Sequence, residues 1–365
     1  MSSKKPRLEH TVIYQRDGYY CSFPQLDNLP DGRLAVVVPV SSVRDHTVVW
    51  SSEACDEWVV LVSADQGTTW QETDDPAVPY NWPTGLPRAR KSGCSAAVMP
   101  DGSYVITGAE SWQLWSSGRR EEAEGQGRAV RAHPVDAGAI LVGGQEMFSQ
   151  RSTDGGRTWE RREWVFPGFG CLNVFPQGTY LKDGTFLFPM YGTYPGGDSQ
   201  SYVWRSADYG RTWRLMPMGG SAPPDGAPNE TAFVEVSPGR ILALSRTESN
   251  DYLYQSWSDD SGRTWSHPFR TGIWGVPANL LKLRDGRVLC TYGYRRDPMG
   301  VRAVASNDGG ETWDLDNVYI LRDDGGTRDL GYPASTQLPD GRILTVYYMS
   351  GPDGVTYAAA TRWEA

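Results

Sequence analysis

The chain has 365 residues and a formal net charge of −9, a length that admits one large or two ordinary domains. The acidic balance argues against nucleic acid or an anionic membrane as a partner. No apolar run is long enough to span a bilayer, and the basic N-terminus lacks the apolar segment of a signal peptide. As it stands, the sequence predicts a cytoplasmic protein, or a secreted one if a leader has been removed.

An eight-residue phrase, Ser-x-Asp-x-Gly-x-Thr-Trp, occurs at 63–70, 152–159, 206–213, 258–265 and 306–313. Its chemistry is that of a turn, because the Asp side chain accepts hydrogen bonds from nearby backbone amides and Gly tolerates positive φ. The alternative, an Asp-rich cation site, would have only one constant carboxylate per copy. Copies about 50 residues apart indicate one supersecondary unit per repeat.

A second signal, an Asp-Gly or Pro-Gly turn, occurs at 31–32, 101–102, 183–184, 238–239, 285–286 and 340–341. Such a dipeptide between two strand-like runs is typical of a hairpin. A third strand then leads into the Asp phrase, which the sixth unit lacks, and a fourth begins at its Trp. Six units of four antiparallel strands predict an all-β fold, a six-bladed β-propeller, with residues 1–365 as one domain.

Two segments depart from this repeat. The sixth unit ends without a fourth strand, so we expect the N-terminal strand at 10–14 to complete the last blade. Residues 110–145 form an insertion between the second and third strands of the second blade. Its composition favours a solvated loop, with a short helix possible, and the alternative is a wall over the site.

In a propeller, the inner strands start and the second strands end around the same face of the central channel. Eight residues before the turns stand Phe23, Gly93, Phe175, Glu230, Pro277 and Tyr332. Eight residues after them stand Pro39, Ala109, Tyr191, Arg246, Gly293 and Tyr348. This register predicts that Glu230, Arg246 and Tyr332 reach into one cavity.

These three residue types suit a specific chemistry. Glu230 can take the proton of Tyr332 and so make a nucleophile of a phenol, whose unperturbed pKa is about 10. A neutral phenol suits an anomeric carbon that carries a carboxylate, because that carboxylate would repel an anionic nucleophile. Arg246 would hold the carboxylate by a charge-assisted pair. The alternative is structural: Tyr332 packs the channel mouth, and Glu230 and Arg246 form an ion pair.

The five Asp phrases resemble the Asp-boxes of the sialidase (neuraminidase) superfamily, and the resemblance covers essentially the whole chain. Asn-Glu-Thr at 229–231, together with Arg246, resembles the segments of the catalytic Glu and the second carboxylate-binding Arg. Gly-Tyr-Pro at 331–333 resembles the segment of the nucleophilic Tyr. The resemblance implies retaining hydrolysis through a covalent intermediate on Tyr332, with no metal or organic cofactor.

The resemblance breaks at the first inner strand. Sialidases carry Phe/Tyr-Arg-Ile-Pro there, and its Arg is the first of three that bind the carboxylate. The matching residues here are Cys-Ser-Phe-Pro at 21–24, so Ser22 stands in place of that Arg. The third Arg of the family matches Arg295 or its neighbour Arg296. The candidates to replace the first are Arg44, Arg88 and Arg90.

The general acid of sialidases is an Asp on the loop after the second strand of the first blade. The corresponding loop is 43–47, which makes Asp45 the candidate. Other acids of this region are alternatives, namely Glu53, Asp56 and Glu57, although surface solvation is the ordinary role for any of them. His46 lies next to Asp45, and a His can replace a carboxylic acid as proton donor.

The sequence thus predicts an exo-acting glycoside hydrolase whose substrate is an oligosaccharide or glycoconjugate ending in sialic acid or a related ulosonic or uronic residue. The candidate catalytic residues are Tyr332, Glu230 and Asp45. The candidate substrate-binding residues are Arg246, Arg295, Arg296, Arg44 and His46. Two alternatives are a carbohydrate-binding propeller without turnover and a lyase that uses Tyr332 as base and acid on uronic acids. Glu230 and Tyr332 argue against the first, and Ser22 argues for a changed substrate.

Overall fold

The structure is a computed structural model that describes residues 7–51, 53–84, 94–175, 177–194, 199–219, 226–247, 249–351 and 353–365. It is an all-β protein in which the helical segments are short. Across those ranges no helix is both long and apolar enough to cross a bilayer.

The strands follow one another as antiparallel meanders in chain order. The N-terminal segment and the first meander contain β1 (Glu9–Tyr14), β2 (Tyr20–Cys21), β3 (Gln25–Asn28), β4 (Leu34–Ser41), helix α1 (His46–Val49), β5 (Glu57–Ser63), β6 (Gln71–Glu72) and a 3-10 turn (Pro79–Asn81). The second meander and its insertion contain β7 (Cys94–Val98), β8 (Tyr104–Ala109), β9 (Trp112–Ser116), a 3-10 turn (Ser117–Arg119), α2 (Arg120–Gly125), β10 (Val130–Ala132), β11 (Ala139–Gly143), β12 (Glu146–Ser152) and β13 (Glu160–Val165).

The remaining meanders repeat this order without a comparable insertion. The third contains β14 (Cys171–Val174), β15 (Thr179–Tyr180), β16 (Phe186–Thr193), β17 (Ser199–Ser206) and β18 (Arg214–Pro217). The fourth contains β19 (Pro228–Ser237), β20 (Arg240–Thr247), β21 (Tyr252–Ser258) and β22 (Phe269–Trp274). The fifth contains β23 (Ala278–Lys282), β24 (Val288–Tyr294), β25 (Gly300–Ser306) and β26 (Tyr319–Arg322). The last contains β27 (Gly331–Gln337), β28 (Ile343–Ser350) and β29 (Thr356–Trp363).

The apolar core lies between neighbouring sheets. Every residue of the second strands β4 and β28 is buried, as expected for strands covered on both faces, whereas the outer strand β13 is largely exposed. Between the third and fourth sheets, Leu187 and Val203 pack in one cluster with Phe233 and Ile241. The sheets are therefore held face to face by aliphatic and aromatic side chains.

The Asp phrases are turns, as their composition predicts. In the second copy, Asp154 Oδ1 accepts hydrogen bonds of 3.0 Å from the amides of Arg157 and Thr158. The Thr158 hydroxyl donates to Asp154 Oδ2 at 2.6 Å, and the Ser152 hydroxyl donates to Oδ1 at 2.8 Å. In the first copy, the amide and hydroxyl of Thr69 lower the pKa of Asp65 to about 2. Each carboxylate is thus used locally, within its own turn.

The N-terminal strand pairs with the last meander, as predicted. β1 runs antiparallel to β29, with Glu9 opposite Arg362 and Val12 opposite Ala359. A feature the sequence did not indicate is β2, which pairs with β29 on one side and with β4 on the other. The last and first meanders therefore share a single nine-stranded sheet.

The insertion is a folded unit, and the expectation of a solvated loop was wrong. Its strands form a separate three-stranded sheet in the order β10-β11-β9, and α2 closes over it with Ala123 buried. The physical reason is that β11 is entirely buried and supplies an apolar face for the helix. Trp112 of this unit packs with Val48 of α1, and Arg131 Nη1 donates to the Thr47 hydroxyl at 3.3 Å. The insertion therefore lies against the segment that follows β4.

Candidate active site

The structure brings Tyr332, Glu230 and Arg246 together. Tyr332 Oη donates to Glu230 Oε1 at 2.5 Å, and Arg246 Nη1 donates to Glu230 Oε2 at 2.9 Å. Tyr332 is the second residue of strand β27, whereas Glu230 and Arg246 lie on the paired strands β19 and β20. Glu230 and Tyr332 are only 7% and 8% exposed, so the phenol and the carboxylate interact in a site largely shielded from water.

Burial, followed by the negative charge of Glu230, raises the pKa of Tyr332, and the charges of Arg246 and Arg295 oppose that rise. The phenol is therefore neutral in the resting site and donates its proton towards Glu230. The charge of Glu230 in turn raises the pKa of Arg246. The arrangement supplies a neutral oxygen nucleophile, an adjacent proton acceptor and a fixed cation.

The backbone at Tyr332 is held in an unusual conformation. Its φ is +49°, and Phe23, whose ring meets that of Tyr332 edge to face at 4.6 Å, has a φ of +48°. Left-handed conformations at bulky residues cost of order 1–3 kcal/mol and concentrate at functional sites. Next to Tyr332, a Cβ at Gly331 would lie 2.9 Å from the Cα of Gly293, so the two glycines let β24 and β27 approach closely. The packing fixes the direction of the Tyr332 phenol.

Arg295 and Arg296 take different positions. Arg295 Nη2 donates to the Leu330 carbonyl at 3.1 Å, and its charge acts on Tyr332. Arg296 is exposed and lies over the Trp274 ring at 3.7 Å. Among the described residues, the buried Nε atoms of Arg246 and Arg295 have no hydrogen-bond partner. Two guanidinium groups beside Tyr332 thus offer donors to an anionic ligand.

Asp45, which sequence analysis assigned as the proton donor, caps helix α1. Its Oδ1 accepts hydrogen bonds from the amides of Thr47 at 2.8 Å and Val48 at 3.1 Å. This is the ordinary behaviour of an Asp at a helix N-cap, and the sequence analysis did not include it. The cap places the next residue, His46, at the start of the helix.

The alternative acids also have partners in this region. Glu53 Oε2 accepts from the Leu114 amide of the insertion at 3.1 Å. Asp56 Oδ2 accepts from the amide and hydroxyl of Ser42, at 2.6 and 2.9 Å. Glu57 forms a 2.9 Å ion pair with Arg16. Each of the three carboxylates therefore has a structural partner.

A residue that the sequence analysis missed, Asp329, binds both Arg44 and His46. His46 Nε2 lies 3.0 Å from Asp329 Oδ1, and Arg44 Nε and Nη2 donate to Oδ2 at 3.3 and 3.2 Å. The hydroxyls of Tyr20 and Tyr348 donate to Oδ1 at 2.9 and 2.8 Å. Burial opposes ionisation, but hydrogen bonds from His46 and the two tyrosines hold the pKa of Asp329 well below its usual range. Its only sequence signal was its place three residues before Tyr332.

Of the three candidates to replace the missing first Arg, only Arg44 lies among the residues that the structure describes. Ser22, which stands in its place, is fully buried. Arg44 is bound to Asp329 and also donates to the Gly354 carbonyl at 3.0 Å. Arg88 and Arg90 lie outside the residues that the structure describes.

The chain shows clear similarity to known proteins. A family profile described as a BNR repeat-like domain matches residues 135–345. The sialidase of Micromonospora viridifaciens is 31% identical over 210 residues, a match that covers 48% of this chain and 32% of that protein. The chain therefore spans about a third of the length of this curated relative.

Solved structures share the fold. A protein of unknown function from Dyadobacter fermentans superposes with a TM-score of 0.73 at 24% identity, over 99% of both chains. The NanB sialidase of Streptococcus pneumoniae gives 0.63 at 18% identity, over 97% of this chain and 70% of that one. A Hadza microbial sialidase gives 0.60 at 20% identity, over 93% and 65%. At these identities the likeness is one of fold.

Proposed function

This chain belongs to the BNR repeat-like domain family within the sialidase superfamily, and on that basis we propose that it is an exo-acting, retaining glycoside hydrolase. Its substrate is a glycoside that ends in an acidic sugar, either sialic acid or a related ulosonic or uronic residue. The observation that carries the proposal is the buried hydrogen bond between Tyr332 and Glu230, with Arg246 on the second carboxylate oxygen. An ion pair between Glu230 and Arg246 that served only the structure would not need the hydroxyl of Tyr332 as a third partner.

The reaction would proceed in two displacements. In the first, Tyr332 Oη attacks the anomeric carbon, its proton passes to Glu230 Oε1, and the bond from that carbon to the leaving oxygen breaks. In the second, water attacks the same carbon and gives its proton to the group that protonated the leaving oxygen, the bond to Tyr332 breaks, and Glu230 returns its proton to the phenol oxygen. Two inversions at one carbon give net retention.

The acidic group of the sugar would be held by Arg246 and Arg295. Both guanidinium groups lie beside Tyr332, and each has a buried Nε without a partner in the described part of the chain. A carboxylate can accept from such donors as a charge-assisted, bidentate pair. Since Ser22 occupies the place of the first family Arg, the clamp would have two cationic members, and we keep the substrate class wider than sialic acid alone.

The leaving oxygen needs a proton, and two neighbouring residues of α1 and its cap, Asp45 and His46, are the candidates. The six meanders, with the first and last joined through β2, would close as a six-bladed propeller, and Tyr332 would then face its central channel. Such a ring explains how strands far apart in sequence supply one site.

A panel of substrates tests the proposal. Wild type, Tyr332→Phe and the remote control Tyr209→Phe are incubated with aryl glycosides of sialic acid, other ulosonic acids, uronic acids and neutral sugars. We expect aglycone release from at least one acidic sugar, lost in Tyr332→Phe and kept in Tyr209→Phe. Binding without release from every glycoside would reject the hydrolase, and an ultraviolet-absorbing unsaturated product would establish elimination instead.

A further inference from the structure

Asp329 ties the segment after β4 to the segment before β27. Its carboxylate lies between His46, Arg44, Tyr20 and Tyr348, and it makes hydrogen-bond contacts with all four. The side chain of Asp329 is 23% exposed, whereas that of His46 is 50% exposed. One edge of the imidazole is therefore fixed by a shielded carboxylate, and the rest of the ring remains accessible to a ligand.

The His46 ring lies close to the nucleophile. It meets the Phe23 ring edge to face at 4.9 Å, and Phe23 meets Tyr332 in the same way at 4.6 Å. On its other side, His46 is stacked with Tyr20 at a centroid distance of 6.1 Å. The Phe23 ring alone thus separates the His46 imidazole from the Tyr332 phenol, so both groups can contact one sugar bound beside them.

The two neighbouring carboxylates are poorly placed to give a proton. Asp45 is engaged by the amides of Thr47 and Val48 as the helix cap. Asp329 receives hydrogen bonds from cationic and phenolic donors on both oxygens, which favour its ionised form. Among the acids and His around α1, His46 combines exposure with a fixed orientation.

We propose that His46 donates the proton to the leaving oxygen and that Asp329 is the positioning residue that orients the imidazole. This inference rests on the proposed hydrolytic function. A carboxylate that accepts from one ring nitrogen fixes the tautomer and the orientation of a His, and it stabilises the imidazolium ion. Because Nε2–H is directed to Asp329, the proton that His46 gives to the leaving oxygen is the one on Nδ1.

The proton balance is simple. As the bond between the anomeric carbon and the leaving oxygen breaks, that oxygen takes the Nδ1 proton, and His46 becomes neutral while it keeps its Nε2–H. In the second displacement, neutral Nδ1 takes a proton from the attacking water as its oxygen bonds to the anomeric carbon. The imidazolium ion is then restored.

Several charged or phenolic groups surround His46. They are Arg44 and Asp45 on its own segment, Tyr20 of β2, Asp329 before β27, Tyr348 of β28 and Arg131 of the insertion. The cationic side chains oppose the imidazolium charge and the carboxylates favour it. Asp329 is paired with Arg44 as well as with His46, so a substitution of Asp329 alters both contacts, whereas His46→Gln removes the imidazole alone.

The test compares two leaving groups on the same sugar. The 4-nitrophenyl and methyl glycosides of sialic acid and of glucuronic acid are the probes, and the sugar that wild type cleaves is followed. A nitrophenolate leaves without protonation, whereas an alkoxide does not. We expect His46→Gln to lower kcat/KM on the methyl glycoside by about 10²-fold or more and on the nitrophenyl glycoside by less than about 10-fold.

Asp329→Asn should show the same selective loss on the methyl glycoside at smaller amplitude, because a neutral amide no longer orients and stabilises the imidazolium ion. Asp45→Asn is the matched control and should affect both glycosides equally. Equal losses on both glycosides in His46→Gln would overturn the inference, and so would a selective loss on the methyl glycoside in Asp45→Asn. In either case, turnover by the wild type would still support the proposed hydrolase. If wild type cleaves no glycoside, the proposed function fails and the inference falls with it.

Discussion

Tyr332 and Glu230 share a 2.5 Å hydrogen bond although 102 residues separate them in the sequence. The phenol belongs to the first strand of the last meander and the carboxylate to the first strand of the fourth, so the contact depends on how these two sheets pack together. Both side chains are buried, which strengthens the interaction and keeps the phenol protonated at rest. The packing of the two sheets therefore positions the two groups on which the proposed chemistry depends.

The proposed role of Glu230 as proton acceptor predicts the effect of Glu230→Gln. The amide cannot take the phenolic proton, so kcat should fall by about 10²–10⁴-fold. The loss of charge beside the half-buried Arg246 should also lower stability, by on the order of 1–3 kcal/mol. The measurements are steady-state kinetics on the cleaved aryl glycoside and thermal unfolding. Glu235→Gln, at the far end of the same strand, is the control, and a Glu230→Gln enzyme with near-normal kcat would contradict the role.

Arg295 and its neighbour Arg296 offer a matched pair. Arg295 lies beside Tyr332, whereas Arg296 is exposed over Trp274. Arg295→Ala should raise KM for the acidic aryl glycoside by about 10–100-fold, because a charge-assisted hydrogen bond to a carboxylate is worth roughly 1.5–3 kcal/mol. Arg296→Ala should stay within about 3-fold of wild type. Steady-state kinetics on both variants test this prediction. A larger rise in KM for Arg296→Ala than for Arg295→Ala would indicate that Arg296, and not Arg295, binds the carboxylate.

Gly331 predicts a link between backbone packing and turnover. Its φ is +108°, and a Cβ would lie 2.9 Å from the Cα of Gly293. Gly331→Ala should therefore destabilise the protein by about 1–3 kcal/mol and lower kcat, since it displaces the strand that carries Tyr332. Thermal unfolding and kinetics measure both effects. Gly286→Ala, a turn glycine with open space around its Cα, is the control; if the two variants were equally active and stable, the close approach would not matter.

Asp27 predicts a pH effect on stability. Burial raises its pKa to about 6, against an opposing hydrogen bond from Tyr80. Because the folded pKa lies above the unfolded value of 3.8, the stabilisation is present below about pH 4 and is lost as pH rises through about 6. Asp27→Asn should thus gain on the order of 2 kcal/mol over wild type at pH 7 and almost nothing at pH 4. Thermal unfolding across that range tests this prediction, and a gain in stability that does not depend on pH would contradict it. Asp316→Asn serves as the exposed control.

The periodic part of the molecule could be predicted from the sequence. Six glycine turns and five Asp phrases set a register, and equal offsets from the turns identify Glu230, Arg246 and Tyr332 in the sequence alone. Side-chain direction in a strand alternates with a fixed period, so residues at equal offsets from equivalent turns occupy equivalent positions in their sheets. The pairing of the N-terminal strand with the last meander followed from the same count of strands.

The aperiodic part could not be predicted in this way. Asp329 and His46 are 283 residues apart and lie on segments outside the repeat, so no offset relates them. The fold of the insertion could not be predicted because its strands are short and pair with one another rather than with the strands of the meanders. Asp45 is a different case, since an Asp just before a short helix is a recognisable N-cap, and a search for caps would have found it.

The most direct test of the central claim is to trap the covalent intermediate on Tyr332. A sialosyl or uronyl fluoride with a second fluorine beside the anomeric carbon should react once, because fluoride leaves readily and the added fluorine slows the second displacement. Mass spectrometry of the digested protein should then show one glycosyl group on the peptide that carries Tyr332, and none in Tyr332→Phe. Fluoride release by wild type with no adduct, or with an adduct on another residue, would contradict a tyrosine nucleophile.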